Sequence, residues 1–166
     1  MKNVFWGSLV LFCLLLSCRS DDDSIQKIDQ IINLYMRNGS GQDLFNKKTE
    51  GFFTYTANDV LGVTDNAPIS IPLKADADSI LYMEYIASAK RELIDSLSSG
   101  NDQTYRSKIA LALRRTVNNV NDTINDTLEI HYHLSPSVFE VSKVFYNKNL
   151  KFTKQPNSPN IVTIVK

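Results

Sequence analysis

The chain has 166 residues, enough for one domain and a short appendage. Hydrophobic residues make up 43% and charged residues 22%, proportions that exclude an intrinsically disordered polymer. Lys plus Arg and Asp plus Glu balance at 18 each, and the basic residues cluster only as the pairs Lys47-Lys48, Lys90-Arg91 and Arg114-Arg115, so charge argues against a nucleic-acid partner.

Lys2 and the apolar run Val4 to Leu16, interrupted only by Gly7 and Ser8, have the form of a cleaved signal peptide over residues 1–17. The run falls short of the about 20 apolar residues that a spanning helix needs. It ends at Leu15-Leu16-Ser17-Cys18, which resembles a bacterial lipobox. The resemblance implies a diacylglyceryl thioether on Cys18, cleavage before it and acylation of the new amine. The competing reading is an ordinary secretory signal with an incidental cysteine. Several acyl chains, at ~0.8 kcal/mol per buried methylene, anchor a protein to a bilayer almost permanently. This covalent lipid is the only prosthetic group expected. Cys13 lies in the discarded segment, so the mature domain has no disulfide, thiolate nucleophile or cysteine metal ligand. Arg19 is followed by Ser20, Asp21, Asp22 and Asp23, which resemble the surface-export signal of Bacteroidota lipoproteins. That implies display on the outer face of the outer membrane; a plain solvated spacer is the alternative. Residues 18–27 then form an acidic tether, and 28–166 a single domain.

The first strand signal is IINLYMR, with Ile32, Leu34 and Met36 on one side and Ile31, Asn33 and Tyr35 on the other. Turn formers Asn38-Gly39-Ser40-Gly41 end it. A loop through GQDLFNKKTEGFF leads to the short apolar stretch VLGV, and Pro72 restricts any strand in ISIPL to an edge. Residues 79–97 support two readings. Ile80, Met83, Ile86, Leu93, Ile94 and Leu97 fit a helical face capped by Ser79, whereas ILYMEYI is rich in β-favouring residues. In SKIALALRR, Ile109, Leu111 and Leu113 alternate with Lys108, Ala110, Ala112 and Arg114, which predicts a strand despite the helix formers.

TLEIHYHL places Leu128, Ile130, Tyr132 and Leu134 on one face and Glu129, His131 and His133 on the other. VFEVSKVFY follows the break at Ser135-Pro136-Ser137. Its phase slips from Phe139 and Val141 to Val144 and Tyr146, so a β-bulge is expected near Ser142-Lys143. Asn147-Lys148 reads as a two-residue turn into NLKF. After QPNSPN the chain closes on IVTIVK, apolar on both faces and therefore expected to be central or covered. Strands at such short intervals predict an all-β fold, an antiparallel β-sandwich of immunoglobulin-like or similar form.

Together the lipobox and its acidic tail, NGSGQDLFN, TEGFF, YMEYIASAKRELID, FEVSKVFYNKNLKFTK and PNIVTIVK resemble a group of small Bacteroidota lipoproteins of flavobacterial type. The likeness spans nearly the whole mature chain and is one of loops and strands. It implies strand over residues 79–97 and an envelope location, and it carries over no site residue and no activity.

Chemistry is sparse. The Glu129-x-His131-x-His133 face is one candidate metal site, since two imidazoles and a carboxylate at period two can hold Zn²⁺ or another divalent ion; a solvated polar face is the alternative. Asp59, Asp65, Asn66, Asp76 and Asp78 lack the order of an EF-hand and read as solvated loops. No G-x-S-x-G elbow occurs, and the five glutamates are scattered. Asp followed by Ser or Thr and an aliphatic residue marks Ser24, Ser79, Ser96, Thr123 and Thr127, and resembles the O-glycosylation acceptor of Bacteroidota envelope proteins. The same pattern is also how turns lead into strands. The expectation is a non-enzymatic, surface-exposed outer-membrane lipoprotein that binds an envelope protein or glycan. A structural envelope component and a metal-dependent hydrolase on the histidine face are the alternatives.

Overall fold

The computed structural model describes residues 25–96 and 102–166. The leader over 1–17, Cys18, Ser20, Asp21, Asp22, Asp23 and Ser24 lie outside them. The expected alternation in IINLYMR becomes strand β2 (Ile31–Arg37), with Ile32, Leu34 and Met36 buried. Just before it, β1 (Lys27–Asp29) belongs to a different sheet, so the chain crosses between layers at Gln30.

The larger sheet is built on one long hairpin, β8 (Gln103–Val117) and β9 (Val120–Leu134), paired from Gln103 opposite Leu134 to Val117 opposite Val120. At ~3.3 Å per residue this ladder is roughly 45 Å long. Inward side chains alternate along both strands, with Ile109, Leu111 and Leu113 meeting Leu128, Ile130 and Tyr132 in the core. On the far side of β8 sit β3 (Thr54–Asp59), paired near the hairpin tip, and β7 (Glu92–Ser96), paired near its base. β4 (Pro68–Ile69) extends the sheet beyond β3. On the far side of β9 lies β10 (Val138–Tyr146), which carries β1 and β11 (Asn149–Thr153) on its other edge. The expected bulge is present: pairing of β10 with β9 slips between Val141 and Lys143, which brings Val141, Val144 and Tyr146 all to the core.

The smaller sheet has the order β12 (Ile161–Val165), β2, β6 (Leu81–Ile86), β5 (Leu73–Ala75). The two sheets share one core, to which β2, β6 and β12 contribute from one layer and β3, β8, β9 and β10 from the other. The molecule is all-β, with no helix among the described residues, and sandwich-like. It departs from a purely antiparallel sandwich in two pairs, β1 with β10 and β12 with β2, which run parallel.

Two expectations are corrected. The expected strand character of 79–97 is observed as far as Ser96, but not as one element: β6 and β7 lie in different sheets, joined through Ala87 at φ 30°. IVTIVK is neither central nor covered. β12 is an edge strand whose Val162 and Ile164 are buried while Ile161 and Val165 face out, so its apolar outer residues serve β-propensity rather than burial. The edge placement expected around Pro72 is observed: it lies between β4 and β5, each the outermost strand of its sheet, and Ile71 is buried.

The ladder has two distinct ends. Asn118 and Asn119 form the turn at its tip, both with positive φ. At the opposite end the first described residues join the sheet: Lys27 N donates to Ser137 O at 2.9 Å and Gln26 Nε2 to Ser135 O at 2.7 Å.

Candidate functional site

The outward face of the larger sheet is set by the same period-two alternation that builds the core. Ile109, Leu111 and Leu113 point in, so Lys108, Ala110, Ala112 and Arg114 point out. Cross-strand register places Thr123, Asn125 and Thr127 of β9 beside Arg114, Ala112 and Ala110, and Thr54, Thr56 and Asn58 of β3 on their other flank. Two alanines between rows of hydroxyl and amide side chains leave a trough, because the central strand lacks the bulk of its neighbours.

Three depressions follow one another along this face. One of about 310 Å³ lies at Thr54, Arg114, Thr116, Asn121 and Thr123, close to the hairpin tip. The next, about 450 Å³, is floored by Ala110 and Ala112 and walled by Thr56, Asn58, Asn66 and Asn125. The third, about 250 Å³, is lined by Lys108, Thr127, Glu129, Asn147 and Lys148. From Arg114 to Lys108 the strand covers roughly 20 Å. Neither residue, nor Lys148, forms an ion pair among the described residues.

The wall beside β3 is held by local polar contacts. Asn58 Oδ1 accepts from Ala67 N at 2.7 Å and its Nδ2 donates to Asp65 O at 3.1 Å. Asp59 is buried and accepts from Leu61 N at 2.9 Å and Lys90 N at 2.6 Å. Gly62 allows the loop to close, since a Cβ there would stand 2.4 Å from the Cβ of Ala67.

Glu129, His131 and His133 share the outward face, as period two requires, and extend the row of Thr123, Asn125 and Thr127 toward the ladder's base. His131 Nε2 lies 2.8 Å from Glu129 Oε1, and the imidazole packs against Phe145 with ring centroids 4.9 Å apart. His133 stands beyond them and joins no such contact. Among the described residues no three His, Cys, Asp or Glu side chains converge on one point. The loop acids serve the backbone instead: Asp76 Oδ1 accepts from Asp78 N at 3.0 Å and Ile80 N at 2.9 Å, forming the turn that carries Ser79 at φ 62°.

Of the marked hydroxyl residues, Thr123 and Ser79 are exposed and Thr127 is half-buried. Asp122 and Asp126, which precede the two threonines, point the other way. Asp122 pairs with Arg115 at 3.0 Å, and Asp126 is buried. Thr54, Thr56, Asn58, Ala110, Ala112 and Arg114 were not singled out by motif; the alternation of small residues with Ile109, Leu111 and Leu113 was their visible trace. Comparison with family models, curated proteins and solved structures returns no match to the chain.

Proposed function

We propose that the protein is a lipid-anchored, non-enzymatic binding module of the outer membrane, held at Cys18 and displayed on the cell surface by the acidic Ser20–Asp23 segment. Its ligand is an extended, hydroxyl-rich chain bearing acid groups, such as an acidic glycan, laid along the trough over β3, β8 and β9. The observation that carries this reading is the alignment of three depressions on one outward face. The backbone groups of β8 are used in pairing on both sides, so this face recognises a ligand through side chains alone. Threonine and asparagine exchange hydrogen bonds with sugar hydroxyls, while Arg114 at one end and Lys108 with Lys148 at the other suit carboxylates or sulfates. Anchoring confines the domain to a thin layer and raises its effective concentration toward neighbouring polymer.

Affinity gel electrophoresis with polygalacturonate tests the reading. Wild-type protein is retarded at low salt, whereas Ala112→Trp, which fills the trough from the solvent side, and Arg114→Ala migrate as they do without polymer. Wild-type mobility unchanged by polymer would exclude an acidic glycan of this type.

A further inference from the structure

The end of the sandwich that receives the tether is unusually apolar at its surface. Ile25, Ile28, Ile31, Ile86, Leu93 and Ile94 are between 40% and 94% exposed. Register places four of them at this end, and Ile25 and Ile94 adjoin these in sequence. Ile28 pairs with Phe139 at the start of β10, Ile31 with Ile86 at the lower edge of the smaller sheet, and Leu93 with Tyr105 near the start of β8. Toward the opposite end Val120, at the hairpin tip, Val165 and Leu150 are exposed, and Val60, Val63, Leu73 and Ile161 are scattered between the two ends. Solvent contact at so many aliphatic side chains on one end calls for an occupant.

We infer that this end lies directly on the lipid surface, with the six aliphatic side chains entering the headgroup layer. The inference rests on the anchoring at Cys18 proposed above. Six residues separate Cys18 from Ile25, and fully extended the seven steps between them reach at most ~25 Å. An apolar surface held that close to a bilayer samples it continually, so each modest insertion acts at high effective concentration. Interfacial burial of aliphatic groups 5–10 Å deep needs no helix, only apolar side chains presented together at the boundary. β1 makes the coupling rigid, because the tether leads straight into a strand paired with β10. The hairpin then stands outward, with the trough running away from the membrane toward its tip.

The mature chain has no cysteine besides Cys18, so engineered thiols at exposed positions are unique. Lipidated full-length protein carrying Ile28→Cys, Ile86→Cys or Val120→Cys, each labelled with bimane, is reconstituted in phosphatidylglycerol–phosphatidylethanolamine vesicles containing doxyl-labelled lipid. Labels at 28 and 86 are quenched at least threefold more than the label at 120. Sedimenting protein with equal quenching at all three positions would overturn the docking and leave the anchor intact. Protein that does not sediment with vesicles would overturn both.

Discussion

Asp126 lies on the inward side of β9, one position from residues that face solvent, and its burial is made tolerable by three donors. Tyr146 Oη reaches it at 2.7 Å, Asn147 Nδ2 at 2.6 Å, and Lys166 Nζ completes the set. Burial pushes the carboxyl upward, but the hydrogen bonds from Asn147, Lys166 and Tyr146, with the charge of Lys166, outweigh it and hold the pKa below the ordinary value. A depressed folded-state pKa stabilises the fold above the ordinary carboxylate range, near pH ~4, and that stabilisation is lost as pH falls through the folded value. Urea unfolding midpoints of the wild type therefore decline below pH ~4. Asp126→Asn makes this decline shallower and lowers stability at pH 7 by about 1.5–3 kcal/mol, the range for a hydrogen bond to a charged partner. Equal slopes in the two proteins would show that other carboxylates govern acid unfolding. The same contact ties the last residue of the chain to the middle of the long hairpin, so a polar residue inside the core closes the sandwich at its C-terminal edge.

Two elements carry the geometry of the larger sheet beyond simple alternation. The turns at Asn118-Asn119 (φ 52° and 61°) and Asn147-Lys148 (φ 48° and 67°) both require left-handed backbone at two successive residues. Asparagine tolerates this, lysine poorly, so Lys148→Gly raises stability by about 1 kcal/mol, measured by chemical denaturation. The bulge at Ser142 is the second device. Deleting Ser142 removes the unpaired residue and leaves Phe139, Val141, Val144 and Tyr146 in unbroken alternation on the core side, whereas inserting an alanine between Lys143 and Val144 turns Val144 and Tyr146 outward. A one-residue slip reverses every side chain beyond it. The insertion abolishes cooperative unfolding by urea, whereas the deletion keeps a single transition and Ser142→Ala stays within about 0.5 kcal/mol of wild type.

The bulge was legible because two apolar pairs fell out of phase within one short run. β3 was not, because its inward residues are Tyr55, Ala57 and Asp59, of which one is small and one charged. The spacing in 79–97 satisfied a helix by coincidence, while the β-favouring residues of ILYMEYI belonged to a core strand. The face shared by Glu129, His131 and His133 was visible from spacing alone. The trough was not, because it is made by missing bulk at Ala110 and Ala112 and by strands that meet only through long-range pairing.

At the scale of the whole molecule, the first described residues and the trough occupy opposite parts of one long ladder. Lys27, bonded to Ser137, and the turn at Asn118-Asn119 are separated by nearly the full length of β9, roughly 40 Å. Anchored at Cys18, such a body presents its hairpin tip to whatever lies outside the membrane face that carries it. An epitope inserted between Asn118 and Asn119 sits in a two-residue turn whose flanking strands are already paired, so the fold accommodates it. If Ser20–Asp23 directs export, antibody against that epitope labels intact cells. Replacing Asp21, Asp22 and Asp23 with alanine then abolishes labelling of intact cells while the protein still fractionates with the outer membrane and still carries lipid by intact mass. Cys18→Ser instead moves the protein into the soluble fraction. The two variants separate the anchoring proposed for the sulfur from the export proposed for the acids: on that proposal loss of anchoring releases the protein, whereas loss of the address hides it on the inner leaflet. Labelling that persists in the triple-alanine variant would leave the acidic run as a spacer and require another determinant for surface exposure.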